Sequence, residues 1–191
     1  MIAYKGFTED LRSVMGNGDS KTCNFRPGIT LEVPNCKTAR EGFHCYENPL
    51  MLPTYYRMDG KNRYFKVLAE GNIDEDDSER IACTRITLME ELTPWMLAME
   101  GMKFIIEHPR RDGWQQMFTG LVVQQDKAEV REKNHIAIAR GQNPAARGIT
   151  GSILGFLVDN GEEITECRLI RVSEAQDNRW LCLKGREVVA L

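Results

Sequence analysis

Residues 80–106, RIACTRITLMEELTPWMLAMEGMKFII, hold both periodicities that decide the fold. From Arg80 to Leu88 the side chains alternate, Ile81, Cys83, Arg85 and Thr87 against Ala82, Thr84, Ile86 and Leu88, which is the two-residue period of a β-strand. Thr93-Pro94-Trp95 then has the form of a helix cap followed by proline at the first helical position. Trp95, Met96, Met99, Met102, Lys103 and Ile106 recur at helical spacing and predict one packed face. A strand feeding a helix in this way predicts an α+β protein, with a mixed or antiparallel N-terminal sheet packed against a helix over Thr93–His108.

Toward the N-terminus, Ala3–Phe7 reads as a short strand and Gly16–Ser20 as a glycine-rich break. Gly28–Val33 alternates Ile29, Leu31 and Val33 against polar neighbours, and Phe43–Tyr46 is a further strand. Asn48-Pro49 has the signature of an N-cap and first helical turn, and Pro53 keeps that helix short. Tyr64–Glu70 predicts a strand ending at Gly71-Asn72. Asp74-Glu75-Asp76-Asp77 then reads as a solvated hairpin tip, since it lacks the glycine and distal glutamate of a calcium loop.

Toward the C-terminus, Pro109–Gly113 ends the helix, and a second helical stretch is expected from Trp114 to about Glu132, interrupted at Gly120. From His135 the texture changes. His135–Gly141 and Ala145–Gly151 alternate small residues with recurring glycine, a spacing that suits a solenoid rung or a tight meander. Strands are expected over Ser152–Val158, Ile164–Val172, Trp180–Lys184 and Val188–Leu191, and Asn160-Gly161 is a strong hairpin turn. Three parts follow: an α+β domain over 1–108, a helical connector over 109–134 and a β-rich segment over 135–191.

With 191 residues, 42% of them hydrophobic, the chain can bury a core without disulfides or metal. A formal charge of −3 and a pI near 5.7 argue against nucleic-acid binding by phosphate neutralisation. No secretory signal or membrane span is read at the N-terminus or elsewhere, so a soluble, cytoplasmic protein with reduced thiols is expected. The six cysteines form no C-x-x-C pair. Cys23, Cys36, His44 and Cys45 contain zinc-ligand types but match no standard knuckle spacing, so neither metal nor cofactor is expected.

The block Gly42-Phe43-His44-Cys45-Tyr46-Glu47-Asn48-Pro49-Leu50, continuing to Tyr55-Tyr56, concentrates glycine, histidine, cysteine and aromatics at one strand-to-helix junction. Lys5, His44, Tyr55, Tyr56, Glu90 and Glu91 are the candidate ligand-binding residues, although a core histidine and packing tyrosines would satisfy the same pattern. His44 and Cys45 are neighbours on a strand, point to opposite faces, and so make a poor base and nucleophile pair. Met96, Met99 and Met102 form the candidate partner-binding face. Trp95 and Trp114 are expected to bury helix faces, and Trp180 to anchor the C-terminal sheet.

The Tyr4-Lys5-Gly6-Phe7 start, the Cys36-to-Tyr56 block, the strand from Tyr64 to Gly71 before an acidic turn, and Ala82-Cys83-Thr84-Arg85-Ile86 before Glu90-Glu91-Leu92 together resemble an uncharacterised family of phage and prophage proteins. Members similar to this chain carry a cysteine, then Gly-Phe-His, Asn-Pro-Leu and a Tyr-Tyr pair. They continue through glycine-rich and asparagine-rich repeats to a closing segment like Ile136-Ala137-Ile138-Ala139. The resemblance covers residues 1–98 and 135–191; Met99–Asn134 departs from it and lacks the repeats. It implies a phage or prophage origin and work inside a bacterial host.

No P-loop, G-x-S-x-G or H-E-x-x-H motif is present. A non-enzymatic accessory protein that binds a host or virion protein, and that forms a homo-oligomer, is the first expectation. The alternative is an ADP-ribosyltransferase-like or NAD-binding protein. The order of elements resembles that core, which implies Tyr55 and Tyr56 stacking on nicotinamide, His44 or Lys5 holding ribose or phosphate, and Glu90 or Glu91 stabilising an oxocarbenium-like transition state. The family's spaced Glu-x-Glu pair, its first-strand arginine or histidine and its Ser-Thr-Ser are missing here.

Overall fold

The computed structural model describes residues 1–14, 23–76 and 79–191. The glycine-rich break at Gly16–Ser20 and Asp77 of the acidic run lie outside them. The chain divides into two compact units, Met1–Thr93 and Pro94–Leu191. Strands dominate both, and one α-helix is present among the described residues.

The first unit contains β1 (Ile2–Phe7), β2 (Thr30–Glu32), β3 (Phe43–Tyr46), β4 (Arg63–Glu75) and β5 (Arg80–Leu92). The strands pair antiparallel: β4 with β5 as a long hairpin, β1 with β4, and β3 with β5. Tyr4 opposite Tyr46 joins β1 to β3 and closes the ring, while β2 continues along β5 beyond β3. Closing so few strands demands strong coiling, which bulges supply. The strand expected to stop at Gly71-Asn72 instead runs through them to Glu75. Two residues there face the single Thr84, whose Oγ1 accepts the Asn72 N–H at 2.9 Å. Gly71 has φ +76°, and a Cβ on it would stand 2.1 Å from Thr84 Oγ1, so this bulge needs glycine.

The interior of the ring holds Phe7, Phe25, Phe43 and Phe65 with Val67, Ile81, Ile86 and Leu88. Phe7 packs on Phe25 at 4.8 Å between ring centres and edge-on to Phe65 at 5.7 Å. Asn48 caps a 3-10 turn over Pro49–Thr54, its Oδ1 accepting from the Leu50 N–H at 3.0 Å. Asp74 is not a solvated tip. It lies within β4 and accepts from Lys37 Nζ at 2.6 Å and from the Thr38 N–H and hydroxyl at 2.8 and 2.7 Å, which holds its carboxyl far below the usual range.

The second unit opens with α1 (Pro94–Glu107), so the helix belongs here and not to an N-terminal domain ending at His108. No helical connector follows over 109–134. That segment forms β6 (Gln116–Phe118) and β7 (Leu121–Glu129), because Val122 and Val123 find a ladder partner further along the chain. Next come β8 (Ile136–Arg147), β9 (Ile153–Asp159), β10 (Ile164–Arg171), β11 (Trp180–Lys184) and β12 (Glu187–Ala190).

β7, β8 and β9 pair parallel, in register Leu121↔Ile136↔Ile153. A straight strand from Leu121 to Glu129 would span about 26 Å, and one from Ile136 to Arg147 about 36 Å. The return segments 130–135 and 148–152 reach at most about 25 Å and 22 Å, so the strands must bend. They bend at one corner, where Asp126 with φ +59° and Gly141–Pro144 interrupt the ladder between Gln125/Arg140 and Lys127/Ala145. The result is a short β-helix, of which the solenoid expectation caught the principle.

Its interior is lined by Ala128, Ala137, Ala139, Ala146, Leu154, Phe156 and Leu181. Small side chains in the middle rung leave room for Phe156. β6 covers β7 and β10 covers β9, while β11 pairs antiparallel with the second arm of β8 and carries β12. Such end strands protect what would otherwise be open edges. α1 lies against β8, β9 and β10 with Leu97, Ala98, Gly101, Met102, Phe104 and Ile105 buried. Of the predicted face of Trp95, Met96, Met99, Met102, Lys103 and Ile106, only Met102 is therefore among the buried residues, and Met99, Lys103 and Ile106 are exposed. Both stripes are apolar, and the sheet took the one whose alanine and glycine allow close approach.

Candidate functional site

The sequence-derived candidates fall into separate places. Ala3, Lys5 and Phe7 share the inner face of β1, so the Lys5 ammonium sits inside the ring, 4% exposed. It donates to the His44 carbonyl at 2.7 Å and to Ser13 Oγ at 3.5 Å, and lies 5.3 and 5.7 Å from the Phe7 and Phe25 ring centres. No carboxylate pairs with it among the described residues. Cys45 and Cys83 occupy the same interior, their thiols hydrogen-bonded; that bond and burial push Cys45 up, and the Cys45 thiol draws Cys83 down. Tyr56 is buried over Gly6, where a Cβ would meet its ring, and its hydroxyl accepts the Val14 N–H at 3.1 Å.

His44 lies between Phe43 and Cys45 and points to the other face of β3. Its Nε2 is buried without a hydrogen-bond partner among the described residues, and burial, then the Lys5 charge, lowers its pKa. Cys45 is thus interior and His44 exterior, so the candidate zinc ligands do not converge. Tyr55 is partly exposed and hydrogen-bonded to Tyr46, whose hydroxyl is pushed well up by burial and by Tyr55. Glu91 is held in a bidentate pair by Arg63 at 2.6 and 2.7 Å, and Glu90 is exposed on the adjacent position. Lys5 and Tyr56 are linked through Ser13, whereas Glu91, in register with Lys5 across Phe65 of β4, is exposed and taken up by Arg63, and Glu90 is exposed beside it. Of the three methionines, Met102 is buried against the second unit's sheet and Met99 is 49% exposed, so they present no common surface.

The feature the sequence analysis missed is a cleft of about 640 Å³ over the corner of the β-helix. Three rungs contribute to it: Gln125 and Asp126 from the first, Arg140 to Asn143 from the second, and Asp159 to Gly161 from the third, with Trp114 as a wall. Gly141 is fixed by stacking, since a Cβ there would stand 2.2 Å from Asp126 Oδ1. Arg140 is only 5% exposed. Its Nε donates to Asp159 Oδ2 at 2.6 Å, one Nη2 hydrogen goes to the Pro109 carbonyl, and its guanidinium lies 4.6 Å from the Trp114 ring centre. Asp159 Oδ1 accepts the Gly161 N–H at 2.7 Å, so both its oxygens are engaged. Arg140 Nη1 is buried and has no acceptor among the described residues. Trp114 therefore flanks this cleft and buries no helix face. Trp180 is flanked by Arg147 and Lys127 at 4.8 and 5.4 Å.

Geometry thus defines a two-unit β protein, a closed antiparallel ring followed by a capped β-helix with a polar corner cleft. Residues 1–100 match the family described as a domain of unknown function (DUF7666), and the chain belongs to that family. No curated protein and no solved structure matches the chain. The family match spans the whole first unit and ends inside α1, so the cleft lies beyond it. No helix among the described residues is long and apolar enough to cross a membrane.

Proposed function

We propose that the protein is a non-catalytic binding protein of phage or prophage origin, which acts inside the bacterial host on a component of the host or of the virion. The observation that carries this reading is the way Arg140 is held. Asp159, the Pro109 carbonyl and Trp114 fix the guanidinium, and its Nη1 amino group remains unmatched beside a cleft whose size falls among small-molecule and side-chain recognition sites. A buried donor without an acceptor costs about 1–3 kcal/mol, which an incoming acceptor recovers. The rungs supply rigidity, so a partner would meet a preformed site. The phage or prophage origin is supported by the Tyr4–Phe7 and Cys36–Tyr56 resemblance.

The test is retention of bacterial lysate components on the immobilised protein and on a Gln142→Ala/Asn143→Ala variant, followed by mass analysis of what elutes. Retention that depends on the cleft, with the retained molecule chemically unchanged, is the expected outcome. Equal retention by the variant, or recovery of a modified molecule, overturns the proposal.

A further inference from the structure

The donors and acceptors of the corner cleft restrict what it can hold. Its charged lining is two carboxylates, Asp126 and Asp159, against the single guanidinium of Arg140, so a phosphate or other anion would meet net repulsion. Cation binding is no better served. Asp159 is already occupied on both oxygens, and no group of three or more His, Cys, Asp or Glu suited to a metal ion exists among the described residues. An apolar ligand would bury Gln125, Asp126, Gln142 and Asn143 unsatisfied, at a cost of about 1–3 kcal/mol each. What remains is a neutral molecule dense in groups that both donate and accept. Carboxylate and amide oxygens accept its hydroxyl hydrogens, amide N–H groups donate to its oxygens, and an indole wall covers its C–H surface.

We propose that this cleft binds a neutral saccharide, with Trp114 against the sugar ring, Asp126, Gln142 and Asn143 bonding its hydroxyls, and Arg140 Nη1 donating to a hydroxyl or ring oxygen. The proposal rests on the binding role assigned to the same cleft above, and it adds the ligand's chemistry. Two features make the site ready for it. The polar side chains come from corners stacked one rung apart, so their spacing is set by the β-ladder and not by loop motion. The unmatched Nη1 amino group can donate to an acceptor without breaking the Arg140–Asp159 pair, and the carboxylates of Asp126 and Asp159 beside it select an uncharged one.

The probes are four neutral trisaccharides, built from glucose, mannose, galactose and N-acetylglucosamine, with inorganic phosphate and AMP as anionic controls. Saturation-transfer NMR and calorimetry follow binding to the full chain. The proposal expects at least one trisaccharide to bind and to weaken at least tenfold in Gln142→Ala/Asn143→Ala, with neither anion binding at the cleft. Both substituted side chains are exposed, so the variant keeps its fold, which amide exchange verifies. No binding by any of the four sugars, binding unchanged in the variant, or competition by phosphate overturns the proposal. Periodate treatment of the lysate, which cleaves vicinal diols, separates this failure from that of the binding role. Cleft-dependent retention that survives periodate removes the saccharide and leaves the binding role standing, whereas retention lost with periodate supports both.

Discussion

The two units solve the open-edge problem of β-structure in opposite ways. In Met1–Thr93 the strands close on themselves, and the interior is then a fixed volume that must be filled whatever chemistry occupies it: four phenylalanines, two thiols and the Lys5 ammonium. In Pro94–Leu191 parallel rungs stack along an axis, the interior is alanine, valine, leucine and one phenylalanine, and β6, β10 and β11 cover the ends. Closure leaves its polar groups inside and hard to reach. Stacking puts polar groups outside, where the corners align them into a cleft. The first design suits a scaffold, the second a recognition surface.

The largest effect expected of a single change tests whether the units are energetically separate. Phe156→Ala removes the one aromatic side chain of this interior and should cost about 3–5 kcal/mol. By hydrogen exchange on the full chain, amides over 121–157 should lose protection while those of β4 and β5 keep theirs. Equal loss across 63–92 would mean one cooperative body and would end the contrast. Next in size, Gly71→Ala attacks closure itself. The positive φ and the approach to Thr84 Oγ1 predict a loss of about 1–3 kcal/mol, read by denaturant unfolding, that spares the β-helix amides. A loss below about 0.5 kcal/mol would show that the ring tolerates an ordinary residue at its bulge.

What could be read in the sequence was whatever local periodicity controls. The alternation of β5, the Asn48 cap, the Asn160-Gly161 turn and the start of α1 all appear at or near their predicted places. The failures share one cause, a partner distant in sequence. Gly71 reads as a stop unless Thr84 is known to lie opposite, and Gln124–Lys127 is strand because β8 pairs with it. α1 carries two apolar stripes, and only the sheet beneath selects Leu97, Gly101 and Ile105 over Met99 and Ile106. The cleft was hidden for the same reason, since Asp126, Arg140 and Asp159 meet only through stacking. A signal was present: polar corner pairs at Gln125-Asp126, Gly141-Gln142 and Asp159-Asn160 recur sixteen and eighteen residues apart, close to the spacing of the apolar rung starts Leu121, Ile136 and Ile153.

The buried ammonium sharpens the contrast at smaller cost. If Lys5 only fills volume, Lys5→Met keeps its stem in the ring, removes a charge that no carboxylate among the described residues matches, and leaves the His44 carbonyl without one donor. Stability at pH 7 should then stay within about 1 kcal/mol of the parent, or rise. A loss above about 3 kcal/mol would show that the ammonium organises the interior, and would reopen a chemical role for the Lys5, Cys45 and Cys83 group.

The smallest effect concerns His44, whose folded pKa lies below its ordinary value because burial and Lys5 disfavour the imidazolium. A depressed histidine is protonated more readily in the unfolded chain. Its contribution is therefore complete above the unfolded value of about 6.5 and shrinks as pH falls through that value toward the folded pKa. Thermal midpoints of the first unit, followed by exchange of β3 and β5 amides, should decline between about pH 7 and pH 5, ahead of the carboxylate losses near pH 4 that Asp74 brings when its bonds to Lys37 and Thr38 are protonated away. In His44→Gln the first decline should vanish and the second remain. Because the Lys5 charge deepens the histidine's shift, the decline should also be shallower in Lys5→Met, and an unchanged slope there would separate the two groups that the first unit's closed wall brings together.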